Sequence, residues 1–600
     1  MKKNKQVRSI LAAALLISSI SVFSWINCQV KKSTGGSGDI AEPKDPSPDT
    51  IANWAAVSSG LHASMGSIDH RYQKSSIPQL EPRSDWTGSA WRGENVSAQM
   101  VLWSKDPIRQ VECTFSDFLD ETGRILPARI ARARFVRYVI TDEFGDGCGN
   151  RAPENYAATL SPDILDNAQE CDMKGKTSRP VWITLKVPAD AQPGNYRSTM
   201  KLTALGQEPQ SFEFDLEVLP RLLPPPKEWK FHLDLWQHPY SIAKVCDVEL
   251  WSDEHWESMR PYAEMLADAG QKVITTSVNE TPWANQTEYG FDSMIRWKKK
   301  TDGAWEYDYT VFDNYVRFMM NMGIDKQINC YSLIPWTAQL VYWDEATARN
   351  GAVKIEPGSK AFVEMWTPFL KDFHSHLEEK GWHQITNFAM DECDAEDMRK
   401  MLDLMDELAP DFGIALADNK KSYNLFPGHI KDLSVSFTSG SIDKEDLEYR
   451  KSRGYVSTYY VCCADEFPNT FTFSPPADAV YLGWYTTAAG FDGLLRWSFT
   501  SWVEDPLHDS RFQSWPAGDT YMVYPGARSS IRFERLVEGI QDAEKIRILR
   551  DTFEKDGTET GRSKLKRLNE TVALFNILSR PQNADALLNH GKQILEELSR

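Results

Sequence analysis

Six hundred residues, 41% of them hydrophobic and 25% charged, are enough for roughly two to four domains with cores of their own and lack the bias of a disordered polymer. A formal net charge of -18 argues against the basic surface that nucleic-acid binding needs and favours neutral partners. The 21 Trp residues offer flat faces on which sugar rings stack, although filling a large core is the plainer use of such side chains.

Residues 1–28, MKKNKQVRSILAAALLISSISVFSWINC, combine a Lys/Arg-rich start with an apolar segment beginning at Ile10, the pattern of a bacterial export signal. The segment is short for a spanning helix. Cys28 is similar to the lipid-accepting Cys of bacterial lipoproteins, and residues 29–50 make a polar, Gly/Ser/Pro-containing tether. Trp25, Ile26 and Asn27 replace the Leu and small residues usual before such a Cys, so plain signal-peptidase cleavage is the alternative. The expectation is an exported protein, lipid-anchored to a membrane and periplasmic or at the cell surface. Cys148 and Cys171 lie in Gly/Asp/Asn-rich loop sequence and form the candidate disulfide. No CxxC or HExxH spacing, P-loop, GxGxxG after a strand or G-x-S-x-G elbow occurs, so neither a metal nor a cofactor is expected.

Residues 51–222 are strand-like throughout. Val96 to Leu102, Val181 to Val187 and Phe212 to Val218 alternate apolar and more polar positions, the period of antiparallel sheets with one polar face, which predicts a β-sandwich. The run LPRLLPPP at 219–226 suits neither a sheet interior nor a helix and marks a boundary.

Residues 227–550 alternate strand and helix. Strands are predicted around Leu233, Ile274, Ile328, Phe388, Leu416, Leu433, Tyr459 and Leu494, with helices between them, the rhythm of a (β/α)8 TIM-type barrel. Residues 291–310 insert a hairpin, and residues 551–600 read as a helical extension. The fold class is therefore a multidomain β plus α/β protein.

In such a barrel the residues just after each strand line one mouth. They are Trp236, Gln237 and His238; Asn279, Glu280 and Trp283; Tyr331 and Trp336; Asp391 and Glu392; Asp418 and Asn419; Tyr459, Tyr460 and Glu466; and Arg496, Trp497 and Trp502. Acids, amides and aromatics without a Ser-His pair suit a carbohydrate, whose hydroxyls need polar partners and whose ring faces need aromatic platforms. The bland alternatives are a structural His238 and core or hairpin packing for Trp283, Trp336 and Trp502.

Asp391 and Glu392 interrupt an apolar run and precede a helical pattern at Met398, Leu402, Met405 and Leu408, with Asp394 placed to cap that helix. Acids near a helix N-terminus are favoured by its dipole in any case. Glycosidic cleavage, however, needs a proton donor and a group that stabilises positive charge at the anomeric carbon. Adjacent carboxylates are awkward for attack from opposite ring faces. They suit a substrate that supplies its own nucleophile, a 2-acetamido carbonyl.

The segments LDLWQHP at 233–239, NFAMDE at 387–392 and GLLRWSFTSWVEDPLHDSRFQSWPAGDTYMVYPG at 493–526 resemble glycoside hydrolase family 123, the retaining β-N-acetylgalactosaminidases, and related bacterial proteins. The resemblance implies substrate-assisted catalysis, with Asp391 orienting the acetamido group and Glu392 acting as general acid and then base. It implies a glycan or glycoconjugate with terminal N-acetylhexosamine as partner. A non-catalytic glycan-binding lipoprotein and a glycosidase of different sugar specificity are the competing readings.

Overall fold

The computed structural model describes residues 41–600 apart from 146, 150, 151, 439–441 and 583, so Cys28, the signal segment and most of the tether lie outside the described residues. The N-terminal part forms a five-stranded and a seven-stranded sheet that share one core. Strand Gln210–Leu222 buries Phe212, Phe214, Leu216 and Val218 in that core, while Glu213, Asp215 and Glu217 take the more exposed face. Most pairings are antiparallel. The exception is Asp85–Arg92, which runs parallel to Gln210–Leu222.

After prolines 224–226 the chain enters eight parallel strands: His232–Leu235, Val273–Ser277, Gln327–Tyr331, Thr386–Asp391, Gly413–Asp418, Ile430–Ser436, Val456–Tyr460 and Gly493–Arg496. From the second strand onward each pairs with the next in sequence, and the eighth pairs with the first. The seam between the first and second strands holds only one bridge, Leu233 to Gln271, so the barrel is nearly closed. The Gln271 side chain completes the seam, its Oε1 accepting from the Leu235 N–H at 2.9 Å and its Nε2 donating to the Val273 carbonyl at 2.8 Å. At the eighth strand a Cβ on Gly493 would lie 1.9 Å from the His232 carbonyl oxygen, so only glycine lets this pair form.

Helices alternate with the strands except between the fifth and sixth, where only the 3-10 turn Ser422–Leu425 occurs and Pro427 and Gly428 follow it. The expected hairpin, Arg296–Lys299 with Trp305–Asp308, joins a second one, Gln339–Asp344 with Arg349–Lys354, in a four-stranded sheet that the sequence does not announce. Trp297 seats that sheet on helix Lys360–Lys380, stacked 4.5 Å from Phe369. The C-terminal extension is two helices, Glu559–Ala573 and Ala584–Ser599. Among the described residues no helix is long and apolar enough to cross a membrane.

The N-terminal sheets support the barrel mouth. Ile140 donates its N–H to the His508 carbonyl at 2.8 Å and Leu165 to that of Ser529 at 2.9 Å, and Arg532 pairs with Asp163 at 2.8 Å with both side chains buried. The loop after the eighth strand thus stands on the sheets. Cys148 is bonded to Cys463, not to Cys171. The expected pairing fails because Cys171 sits in strand Glu170–Met173, buried in the two-sheet core, whereas Cys148 reaches the loop that follows the seventh barrel strand.

Candidate active site

Thr386 to Met390 are buried and Asp391, the last residue of the fourth strand, emerges part-exposed. Glu392 extends the pairing by donating its N–H to the Ala417 carbonyl at 2.9 Å, but its φ of 51° lies in the left-handed region. A non-glycine residue held there costs roughly 1–2 kcal/mol, and such strain collects at functional sites. Burial first, and the charge of Glu392 second, push the Asp391 carboxyl well above the usual carboxylate range.

Tyr460 ends the seventh strand and donates its phenolic hydrogen to Glu392 Oε1 at 2.6 Å. Its own burial, and then the charge of Glu392, push the phenol up, so it remains a proton donor. Trp336 is 45% exposed at the mouth, and its indole N–H donates to the Asp391 carbonyl at 3.0 Å. This is an aromatic face fixed beside the acidic pair. Trp236, Trp283 and Tyr331 form a buried cluster, with ring centres 5.1 Å apart for Trp236 and Trp283 and 4.7 Å from each to Tyr331. They present no open platform. Glu280 is a part-exposed carboxyl raised by burial and then by Asp292.

The structure removes other residues from the mouth. His238 is buried and caps helix Pro239–Cys246, its Nδ1 accepting from the Ser241 N–H at 3.1 Å while its Nε2 meets the Tyr289 carbonyl at 2.9 Å. Burial pushes its imidazole down to about 3, so it stays neutral. Tyr459 points to the outer face, where its hydroxyl donates to the Leu482 carbonyl at 2.8 Å. Trp502 is fully buried against Tyr262, its indole N–H on the Val523 carbonyl at 2.7 Å. Arg496 is fully buried and pairs with Asp519 at 2.8 Å, and Trp497 donates to the other oxygen of the same carboxylate at 3.2 Å. Both latch the loop after the eighth strand. Asp418 likewise accepts from Lys420, Ser422 and Tyr423 and shapes its own turn.

Asp394 stands at the N-cap of helix Ala395–Leu408 but makes no side-chain cap bond. Its carboxylate takes Lys420 Nζ at 2.7 Å instead, and the same ammonium donates to the Glu392 carbonyl at 3.3 Å. Sequence reasoning missed Lys420. Its position two residues beyond the fifth strand is the signal that could have found it.

An acidic pair at the carboxyl end of a parallel barrel strand, beside an exposed tryptophan, has the parts of a glycoside hydrolase site. The model of the glycoside hydrolase 123 catalytic domain matches residues 236–549, and that of the glycoside hydrolase 123 N-terminal domain matches residues 65–204. The chain belongs to glycoside hydrolase family 123 and is a glycoside hydrolase. Among solved structures it is similar to a family 123 glycoside hydrolase from Clostridium perfringens, studied for glycolipid glycan hydrolysis. The TM-score is 0.80 and the identity 27%, over 90% of this chain and 98% of the other. A Bacteroides ovatus GH5 xyloglucanase in complex with a XXXG heptasaccharide aligns over 76% of this chain and 98% of its own at 10% identity, but its TM-score of 0.27 carries no argument. No curated protein sequence matches the chain significantly.

Proposed function

We propose that the protein is a retaining exo-glycosidase that releases β-linked N-acetylhexosamine, N-acetylgalactosamine foremost, with the substrate's 2-acetamido group as nucleophile. The observation that carries this reading is the adjacency of Asp391 and Glu392 at the end of one strand. Neighbours in sequence cannot flank the anomeric carbon from both faces, but they can serve an internal nucleophile. Glu392 protonates the glycosidic oxygen as its bond to the anomeric carbon breaks, and the acetamido oxygen closes on that carbon to give an oxazolinium ion. Asp391 accepts the acetamido N–H and balances the positive charge. Glu392 then takes a proton from water, which opens the ring at the anomeric carbon with net retention.

The raised Asp391 carboxyl bears on this sequence of steps. Without substrate, burial favours the protonated form of Asp391. A bound acetamido N–H stabilises the charged form of Asp391, the form the mechanism needs. In this reading the barrel is of the (β/α)8 TIM type at residues 227–550, between a supporting β-sandwich at 51–222 and a helical extension at 551–600. The description of the Clostridium perfringens enzyme supports glycolipid glycans as substrates, and the N-terminal signal with Cys28 supports an exported, lipid-anchored enzyme. The test is hydrolysis of a para-nitrophenyl β-N-acetylgalactosaminide by the parent and by Glu392→Gln. Turnover by the parent that falls at least about 10³-fold in the variant supports the reading. A variant within severalfold of the parent removes Glu392 from the mechanism.

A further inference from the structure

Among the described residues, two groups bring three potential metal ligands within 4.8 Å of one another: Cys148, Cys462 and Cys463, and His374, Glu378 and His383. In the first, Cys148 and Cys463 are joined in a disulfide and offer no thiolate. The second is intact. His374 and Glu378 stand four residues apart on helix Lys360–Lys380 and so share one of its faces. Gly381 ends the helix with a φ of 71°, and the reversed chain delivers His383 to the same place in the 3-10 turn His383–Ile385.

His383 Nδ1 lies 3.2 Å from Glu378 Oε1, and the rings of His374 and His383 are 4.4 Å apart. The His383 residue is only 4% exposed; its Nδ1, the atom facing Glu378, also lies 3.3 Å from the Gln384 amide nitrogen, which ion binding would displace, and its Nε2 has no hydrogen-bond partner. His374 touches the rings of His383 and Phe412 and makes no hydrogen bond among the described residues. His376, on the same helix, is satisfied by Asp313 at 2.7 Å. Packing against Phe412 accounts for the burial of His383 but not for the convergence of a second imidazole and a carboxylate on it.

We propose that His374, Glu378 and His383 bind one divalent transition-metal cation, with zinc the best match to the donor set and water completing the coordination. In a tetrahedral site with bonds of about 2.0–2.1 Å the donor atoms stand about 3.3 Å apart. Glu378 and His383 already have that spacing, and rotation of side chains on the open side brings in His374. The last carbonyls of the helix add partial negative charge that favours a cation. The site lies at the start of the fourth strand and the acidic pair at its end, about 17 Å away at the rise of a strand. The ion is therefore structural, pinning the helix end to the base of the strand that carries Asp391.

The full chain without a purification tag, stripped with chelator, is titrated with Zn²⁺ by calorimetry and with Co²⁺ by visible absorption. One ion per chain, tetrahedral Co²⁺ bands and a rise of about 2–4 °C in unfolding temperature are expected. The double variant His374→Ala/Glu378→Gln, chosen because it leaves buried His383 in place, should lose all three while unfolding like the stripped parent. The proposal is overturned if the parent takes up no ion, or if the double variant takes up the same ion with the same affinity.

Discussion

The phenol of Tyr460 donates to Glu392 Oε1 across 2.6 Å, joining the ends of the seventh and fourth barrel strands. This bond holds the side chain of a residue whose backbone is already in the left-handed region. A hydrogen bond to a charged group contributes about 1.5–3 kcal/mol. Tyr460→Phe should therefore lower kcat about 10–100-fold with KM within severalfold, because the carboxyl loses its fixed direction while the sugar platform at Trp336 is untouched. Steady-state kinetics on an aryl glycoside checks this, and an unchanged kcat would mean that the bond is only structural.

Leaving-group ability separates the roles of the two carboxylates. A dinitrophenyl leaving group departs without protonation, so Glu392→Gln should recover at least about 10-fold of its lost activity on such a substrate relative to a poor leaving group. Asp391→Asn should be impaired on both, because the proposed mechanism passes through the oxazolinium ion in either case. The opposite pattern would exchange the two assignments.

The raised Asp391 carboxyl also makes a stability prediction. Its folded value lies above its unfolded one, so the stabilisation is complete below the unfolded value, near pH 4, and is lost as pH rises through the folded value. Asp391→Asn removes the carboxyl whose ionisation the folded state opposes. It should unfold at the parent's temperature or about 1–4 °C above it at neutral pH, with the gap closing toward pH 4. Thermal scans across pH check the sign, and a variant that melts well below the parent at neutral pH would make Asp391 a structural residue.

Arg496 supports the loop after the eighth strand without facing the mouth. Removing one partner of its fully buried pair with Asp519 should cost about 3–5 kcal/mol. Arg496→Ala is thus expected to lower the unfolding temperature sharply, whereas a residue lost only from a sugar site would leave melting unchanged.

These residues show what was legible in the sequence. Alternation and helical periodicity mark the strands, and an apolar run that stops at Asp391 marks the turn that carries the acidic pair. Which neighbour of a doublet faces the mouth was not legible. Tyr459 and Tyr460 are equally aromatic, but the pleat sends one to helix Pro476–Ala489 and the other to Glu392, and the register is set by strands distant in the chain. His238 carried a local signal, since it precedes Pro239 at the first turn of a helix and so stands where caps stand. Asp394 carried the same signal and does not cap, because Lys420 from the next strand's turn takes its carboxylate. The trio of His374, Glu378 and His383 escaped spacing rules because a glycine turn separates its members.

In the proposed mechanism the substrate supplies the nucleophile, and a set of aryl β-glycosides tests that most directly. The enzyme should release aglycone from the β-N-acetylgalactosaminide, more slowly or not at all from the β-N-acetylglucosaminide, and not detectably from the β-galactoside, which has no acetamido oxygen to attack the anomeric carbon. Cleavage of the β-galactoside at a comparable rate would contradict it.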